Sequence, residues 1–315
     1  SRFRTPLHLA NPTSKRTRSD LDRWTKPIPM ETGANKGQLD FTLTALEGGQ
    51  DLPPGAHPLW VYDEGPMVRW LRTTEDGSAL VEAGIYTWKS LPGSARLDEQ
   101  NAWLKDRLQS EAAGQLAWMT EGAATVVPEP LRDKADDVDW LEAETGLRHL
   151  GTVSEAVSGS PYVVVHAPDH GLRQRISKQV PRVVFRHPRS VLAEGFLREE
   201  RGRDRSALGV HLGRSGVDLV LSVKGQLQAS VHHSVTSPED AVYRSVHLLH
   251  AMGLDAKIPI QISGWVKPSG PVHQSFQRHF EKVDLHYGRF IPALGEVTGL
   301  HRQQFLPLIQ LIRCA

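Results

Sequence analysis

One cysteine, Cys314, is the only thiol in 315 residues, so no intrachain disulfide forms and a disulfide-stapled secreted domain is excluded. No run of eighteen uncharged apolar residues occurs, which excludes a membrane-spanning helix. The first thirty residues contain no apolar core of the kind a secretory signal needs. The compartment expected from these absences is the cytoplasm. Excess charge is lacking too: 37 basic and 36 acidic residues leave a net of +1, so the overall balance names no partner. What is present, 39% hydrophobic and 23% charged residues, is the composition of a soluble globular protein. At roughly 150 residues per domain the length allows two units or one two-lobed one.

Charge is nevertheless uneven along the chain. Residues 1–37 hold eight basic and three acidic residues, a net of +5. With Pro6, Pro12, Pro27 and Pro29 interrupting any helix, they read as an extended basic arm. Between Glu47 and Glu144 nineteen acidic residues face eight basic ones, whereas Arg173–Arg205 has ten basic and four acidic. The arm and 173–205 are therefore the places where nucleic acid would bind by counterion release. A solvated surface that pairs with the acidic lobe is the alternative.

Periodicity supplies the organisation. Leu39–Leu46 alternates apolar and polar, and strand-like runs follow at Leu59–Asp63 and Met67–Thr73, an antiparallel meander. A helix is expected over Leu97–Ala113, then a strand at Gln115–Met119, the run Thr125–Pro128 and an acidic helix near Asp136–Glu144. A strand covered on both faces follows at Pro161–His166, then a helix at Gly171–Gln179, a strand at Arg182–Phe185 and a helix at Ser190–Arg198. The second half repeats the order. Strands at Leu208–Leu212, Val217–Val223 and Leu227–His232 precede a helix capped by Ser237 with Pro238 at its first position. The strand Ile258–Ser263, the helix Val272–Phe280 and the strand Val283–His286 follow. Three strands, helix, strand, helix, strand, met twice, indicates an internal duplication of a mixed α/β unit.

That duplicated order resembles the actin-like ATPase superfamily, which includes sugar kinases, Hsp70 chaperones and bacterial cell-division and pilus-assembly relatives of actin. More narrowly, the chain is similar to a bacterial family, domain of unknown function 3822. The segments that carry the likeness are Ala124–Glu129, Phe185–Leu192, Val210–Leu212 with Asp218–Val220, Thr236–Tyr243, and Gly253–Asp255 before Ile260–Gly264. The resemblance implies a duplicated actin-like (ribonuclease H-like) fold, two lobes each with a mixed five-stranded sheet and flanking helices. The expected divisions are the arm 1–37, a first lobe 38–204, a second lobe 205–290 and a segment 291–315 that docks back on the lobes.

The superfamily holds phosphates with two hairpin turns, each opened by an Asp and bent by glycine, because Mg²⁺ needs carboxylates and phosphate oxygens need bare amides. In the first lobe the expected turn is Leu46-Glu47-Gly48-Gly49-Gln50, which lacks the Asp-x-Gly order, since Asp40 is followed two residues on by Thr42. In the second lobe His211-Leu212-Gly213 takes that place, with an imidazole for the carboxylate. The adenosine-side glycine pair becomes Ser263-Gly264-Trp265. These departures imply a scaffold without ATP hydrolysis, with no catalytic residue and no metal site. ATP and Mg²⁺ are thus cofactors the reading admits but does not favour. The candidate ligand-binding residues are Gly213, Arg214, Ser215 and Gly216, a turn able to nest an anion, together with Gly264. Replacement carboxylates for a working ATPase would be Asp218 or Asp40, while Asp63 reads as a turn cap.

Other candidate chemistry is weaker. His166 with His170, and His247 with His250, have ligand-like spacing but no third ligand nearby. Gly213–Gly216 misses the Gly-x-Ser-x-Gly elbow because Val217 stands in the last position. Cys314 has no base beside it in sequence, and Trp60, Trp70, Trp88, Trp103 and Trp118 are expected in the core rather than as stacking platforms. The function expected is non-catalytic binding of another macromolecule, a protein partner first. A Mg²⁺-dependent ATPase, and RNA or ribosome association through the basic arm, are the alternatives.

Overall fold

Alternating and continuous apolar runs become two sheets of the same topology in this computed structural model, which describes residues 39–44, 57–88, 93–107, 115–214, 216–288 and 302–314. The first sheet is formed by β1 (Leu39–Thr44), β2 (Leu59–Asp63), β3 (Met67–Thr73), β4 (Leu80–Thr87), β5 (Leu116–Thr120) and β9 (Val184–Arg186), in the order β1-β4-β3-β2-β5-β9. Helix α1 (Ser94–Arg107) connects β4 to β5. Between β5 and β9 come β6 (Ala124–Pro128), α2 (Asp137–Thr145), β7 (Val153–Ala156), β8 (Tyr162–His166) and α3 (His170–Gln179). These three strands make a separate antiparallel sheet, β6-β8-β7. Helix α4 (Pro188–Glu200) then leads into the second lobe: β10 (Ser206–Leu212), β11 (Val217–Val223), β12 (Gln226–His233), α5 (Pro238–Ala251), β13 (Ile260–Gly264), α6 (Pro271–His279) and β14 (Val283–Leu285). Its sheet runs β12-β11-β10-β13-β14. A final helix, α7 (Leu306–Cys314), packs on α4 and β2.

The duplication is real but begins one strand later than the spacing suggests. In both lobes a three-stranded antiparallel meander is followed by two parallel additions, β2-β3-β4 with β5 and β9, and β10-β11-β12 with β13 and β14. Each lobe thus holds the same mixed five-stranded sheet. Strand β1 is a sixth, paired antiparallel to β4 at the outer edge. Strand β4 escapes the sequence reading because Ala83, Gly84 and Ile85 are buried in succession between β3 and β1, which erases alternation. The predicted turn at Glu47–Gln50, the arm 1–37 and the stretch 291–301 lie outside the described residues.

Side chains lock each lobe. In the first, Trp103 of α1 stands edge-on to Trp70, Trp88 and Trp118 at 6.5, 6.0 and 6.3 Å between ring centres. Each such pair is worth about 0.5–1.5 kcal/mol beyond the area it buries. With Trp60 also buried, the tryptophans are core. In the second, α5 begins where Ser237 Oγ accepts the Asp240 amide at 3.1 Å, and its stripe of Ala241, Val242 and Leu249 lies on β10 and β13 residues. Helix α4, carried between the lobes, is buried along nearly its whole length.

Candidate functional site

Strands β2 and β10 hold equivalent positions in their sheets, so the hairpins that leave them, Asp63–Pro66 and Gly213–Gly216, are counterparts. This corrects the sequence reading, which sought the first-lobe turn after the strand at Leu39. At its true position the lobe does have an Asp-x-Gly order, Asp63-Glu64-Gly65. Asp63 Oδ1 accepts the Gly65 amide at 2.9 Å, and Oδ2 accepts Gln100 Nε2 at 3.2 Å from α1. Arg96 is 3.8 Å away. Burial lifts the Asp63 carboxyl to about 7, against the Gly65 amide and Arg96, which favour the charged form.

The next residue joins the lobes. Glu64 Oε1 lies 2.7 Å from Arg69 Nη2 on β3 and accepts Trp265 Nε1 at 3.3 Å from just after β13. The Arg69 guanidinium is wholly buried between two aromatic faces, Tyr62 at 4.9 Å and Trp265 at 5.4 Å. Tyr62 in turn donates to Glu121 Oε1 at 2.8 Å. Beside the two hairpins this chain places its own acid, cation and indole. Arg69 Nε and Nη1 have no hydrogen-bond acceptor among the described residues.

The second hairpin is closed on itself. Gly213 N–H donates to Gly216 O at 2.9 Å and Trp265 N–H donates to Leu212 O at 2.8 Å. A side chain at Gly264, which has φ +87°, would strike the Leu212 carbonyl, and one at Gly216 would strike His233 O. Arg214 is exposed, with Nη1 3.9 Å from Met67 Sδ of the first lobe. The structure therefore brings Gly213, Arg214, Gly216 and Gly264 together; Ser215 is outside the described residues. His211 Nδ1 sits 2.9 Å from Ser263 Oγ, and burial with nearby Arg69 lowers its pKa to about 3. The imidazole is neutral at physiological pH, and its Nε2 has no hydrogen-bond partner among the described residues and lies beside a cavity of about 10 Å³, room for one water.

The two replacement carboxylates lie apart in the fold. Asp218 accepts His232 Nδ1 at 3.1 Å and has Arg189 Nε at 3.9 Å. Burial alone would raise its pKa, but these partners hold it down, and it is engaged as an ion pair. Asp40 lies on the edge strand, with β4 and β3 between it and β2. Among the described residues no group of three His, Cys, Asp or Glu is placed to hold a metal ion.

The remaining candidates are drawn into structure. His166 Nε2 is 2.8 Å from Glu155, and His170 Nε2 is 2.7 Å from the Gly151 carbonyl. His247 stacks on Tyr243 at 6.0 Å. Burial and nearby Glu194 push the Cys314 thiol up to about 11. Half of the basic residues in 173–205 face acids of their own fold: Arg186 and Arg198 meet Glu194, Arg203 and Arg205 meet Glu200, and Arg189 meets Asp218.

One cluster is not assembled by the sequence reading, which meets Arg186, His187 and Ser190 within the segment Phe185–Leu192 without Glu155. Glu155, on the short strand β7, accepts Arg186 Nε at 3.1 Å from the end of β9 and, at the start of α4, the His187 amide at 2.9 Å and the Ser190 hydroxyl. Desolvation raises its pKa, but these donors and His166 outweigh that and hold it at about 2. His187, buried against His166 and Arg189, is lowered to about 3.

The fold is shared with proteins of very different sequence. A Bacteroides thetaiotaomicron protein with actin-like ATPase fold and unknown function superposes with a TM-score of 0.68 at 12% identity, over 83% of this chain and 97% of that one. A chain of the PilM-PilN type IV pilus biogenesis complex gives 0.55 at 11% identity, over 82% and 98%. The fold is the actin-like ATPase fold. Residues 117–283 match the family described as "Protein of unknown function (DUF3822)", and the chain belongs to that family. None of the curated proteins matches the sequence.

Proposed function

We propose that this protein is a non-catalytic member of the actin-like fold that acts by binding another macromolecule, a protein, in the cytoplasm. The observation that carries the reading is the buried Glu64–Arg69 pair, roofed by Trp265 of the other lobe, which occupies the region beside both hairpins. Binding of nucleotide would have to expel it. A buried charge stripped of its partner costs about 3–5 kcal/mol, and the second hairpin has spent its Gly213 amide internally. The neighbour named PilM is described in complex with PilN, which supports a scaffold role for this fold without showing one here. The internal pairing of Arg186, Arg189, Arg198, Arg203 and Arg205 argues against nucleic acid as the partner of 173–205.

A second reading, a Mg²⁺-dependent ATP-binding protein, is favoured by two observations: the Asp63-x-Gly65 turn and the donors of Arg69 that lack acceptors. Calorimetry of ATP with and without Mg²⁺, on the wild type and on His211→Asp, separates the two. The scaffold reading expects no binding heat in any of the four titrations. Mg²⁺-dependent binding by the wild type overturns it.

A further inference from the structure

The two lobes differ most between the fourth strand of each five-stranded sheet and the helix that follows. The second lobe crosses from β13 to α6 in six residues, 265–270. The first lobe places forty-nine there, 121–169, holding the three-stranded sheet and α2 around their own core of Val127, Leu141, Val163 and Val165. A shared fold that closes without this insertion in one lobe does not need it in the other, and additions of this kind are where function is carried.

Its outer surface is unusual in two respects. Leu147 and Leu150 are 65% and 81% exposed, and Leu150 is the most exposed large apolar residue among those described. Covering a leucine is worth about 1.5–3 kcal/mol, so leaving two in water forgoes that gain. Their link is held at both ends. The Gly146 amide closes α2 onto Glu142 O at 2.8 Å, and Gly151 O contacts His170 at 2.7 Å. The second respect is charge. Arg148 reaches Asp139 at 3.6 Å and Glu142 at 3.0 Å, which lays the link along α2. Setting aside Glu121 and Glu155, which are turned to Tyr62 and to His166 and Arg186, the insertion has eight acidic and three basic residues, a net of −5.

We propose that Leu147, Leu150 and the acidic face of α2 form a docking site for a basic amphipathic segment of a partner protein. Apolar side chains of that segment cover the two leucines, and its lysines or arginines meet Glu144 and compete with Arg148 for Asp139. Charge selects this occupant over others: an anionic lipid surface is repelled by the net −5, and a second copy of the chain docked through this same face would set acid against acid. The proposal names the partner chemistry of the binding function argued above and rests on that reading.

The test titrates the full chain with a fluorescent Leu/Lys amphipathic peptide of about five helical turns, read by anisotropy at physiological salt. A Leu/Glu peptide with the same apolar face is the control. Binding of the Leu/Lys peptide is expected, falling about tenfold or more in Leu147→Ser/Leu150→Ser, with negligible binding of Leu/Glu. Asp139→Lys/Glu144→Lys should reverse the preference. Unchanged melting of the variants ties the loss to the surface rather than to folding. Four results would overturn the proposal: no binding, binding indifferent to the leucines, recruitment to phosphatidylglycerol vesicles that depends on Leu147, or self-association that Leu147→Ser/Leu150→Ser abolishes. A failed peptide titration alongside silent ATP calorimetry removes this surface and leaves the scaffold reading standing. ATP binding removes that reading whatever the peptide does.

Discussion

Replacing Glu155 by glutamine should uncouple the inserted subdomain from the helix that joins the lobes. The carboxylate leaves β7 and reaches the first turn of α4, where it meets Arg186, His166, the His187 amide and the Ser190 hydroxyl. Glutamine keeps the shape and loses the charge. With the folded pKa at about 2, against 4.5 for an ordinary glutamate, ionisation contributes about 3 kcal/mol, taking 1.36 kcal/mol per pH unit. Because the folded pKa is depressed, that stability is fully present above pH 4.5 and disappears as pH falls through 2. His187 and His211, both held neutral to about pH 3, lower stability in wild type and variant alike as pH drops below 6.5, and largely cancel in the difference. Urea unfolding of both proteins between pH 7 and pH 2.5 should show a gap of about 3 kcal/mol at neutrality that narrows below pH 4.5. A gap under about 1 kcal/mol, or one of constant size across that range, would refute the assignment of Glu155 as an ionised anchor.

Three further outcomes follow from the same contacts. Glu64→Gln leaves Arg69 buried and uncompensated and should cost about 3–5 kcal/mol in denaturant unfolding, whereas Glu64→Gln with Arg69→Met should recover most of it. Cys314, with its thiol at about 11, should react slowly with a disulfide reagent at pH 7, the rate rising about tenfold per pH unit; rapid labelling at neutrality would contradict its burial. Ser237→Ala removes the α5 cap and should lower stability by about 1 kcal/mol, measured by thermal melting, with Ser237→Gly costing only a few tenths.

The elements that sequence makes legible here are those with one clear period. The β10-β11-β12 meander alternates or is continuously apolar, and α5 announces itself with Ser237, Pro238 and an acidic first turn. Strand β7, with the sequence Val-Ser-Glu-Ala, is illegible for a physical reason: its glutamate points into a polar cluster assembled from three distant segments, so the residue that looks least like strand core is the one the strand exists to place. The offset of the first meander has a similar origin. Leu39–Thr44 has good strand periodicity, yet it is an edge addition, and only the partnering of β2 with β5 shows which strand is central. That one-strand slip hid Asp63-Glu64-Gly65 as a hairpin turn. His211 and Trp265 could be read as departures because they replace residues whose chemistry is specific. Arg69 carried no such signal, since an arginine on a strand is silent until its partners are known.

The two hairpins hold their polar groups in different ways, and the difference bears on what either could bind. The first carries an acid that is turned to its own lobe, bonded to Gly65 and to Gln100 of α1 and raised by burial to about 7. The second is preceded by His211, an imidazole whose pKa burial lowers to about 3, and its turn amide is closed on itself. Between them Glu64 already gives Arg69 an anionic partner. Restoring a carboxylate with His211→Asp alone therefore adds a second acid to a region whose cation is taken, and burial would protonate it rather than prepare it for Mg²⁺. Freeing the region requires removing Glu64 and Trp265 as well, and those two side chains are also contacts between the lobes. On the scaffold reading proposed above, nucleotide binding would have to break these contacts between the lobes to reach the same atoms.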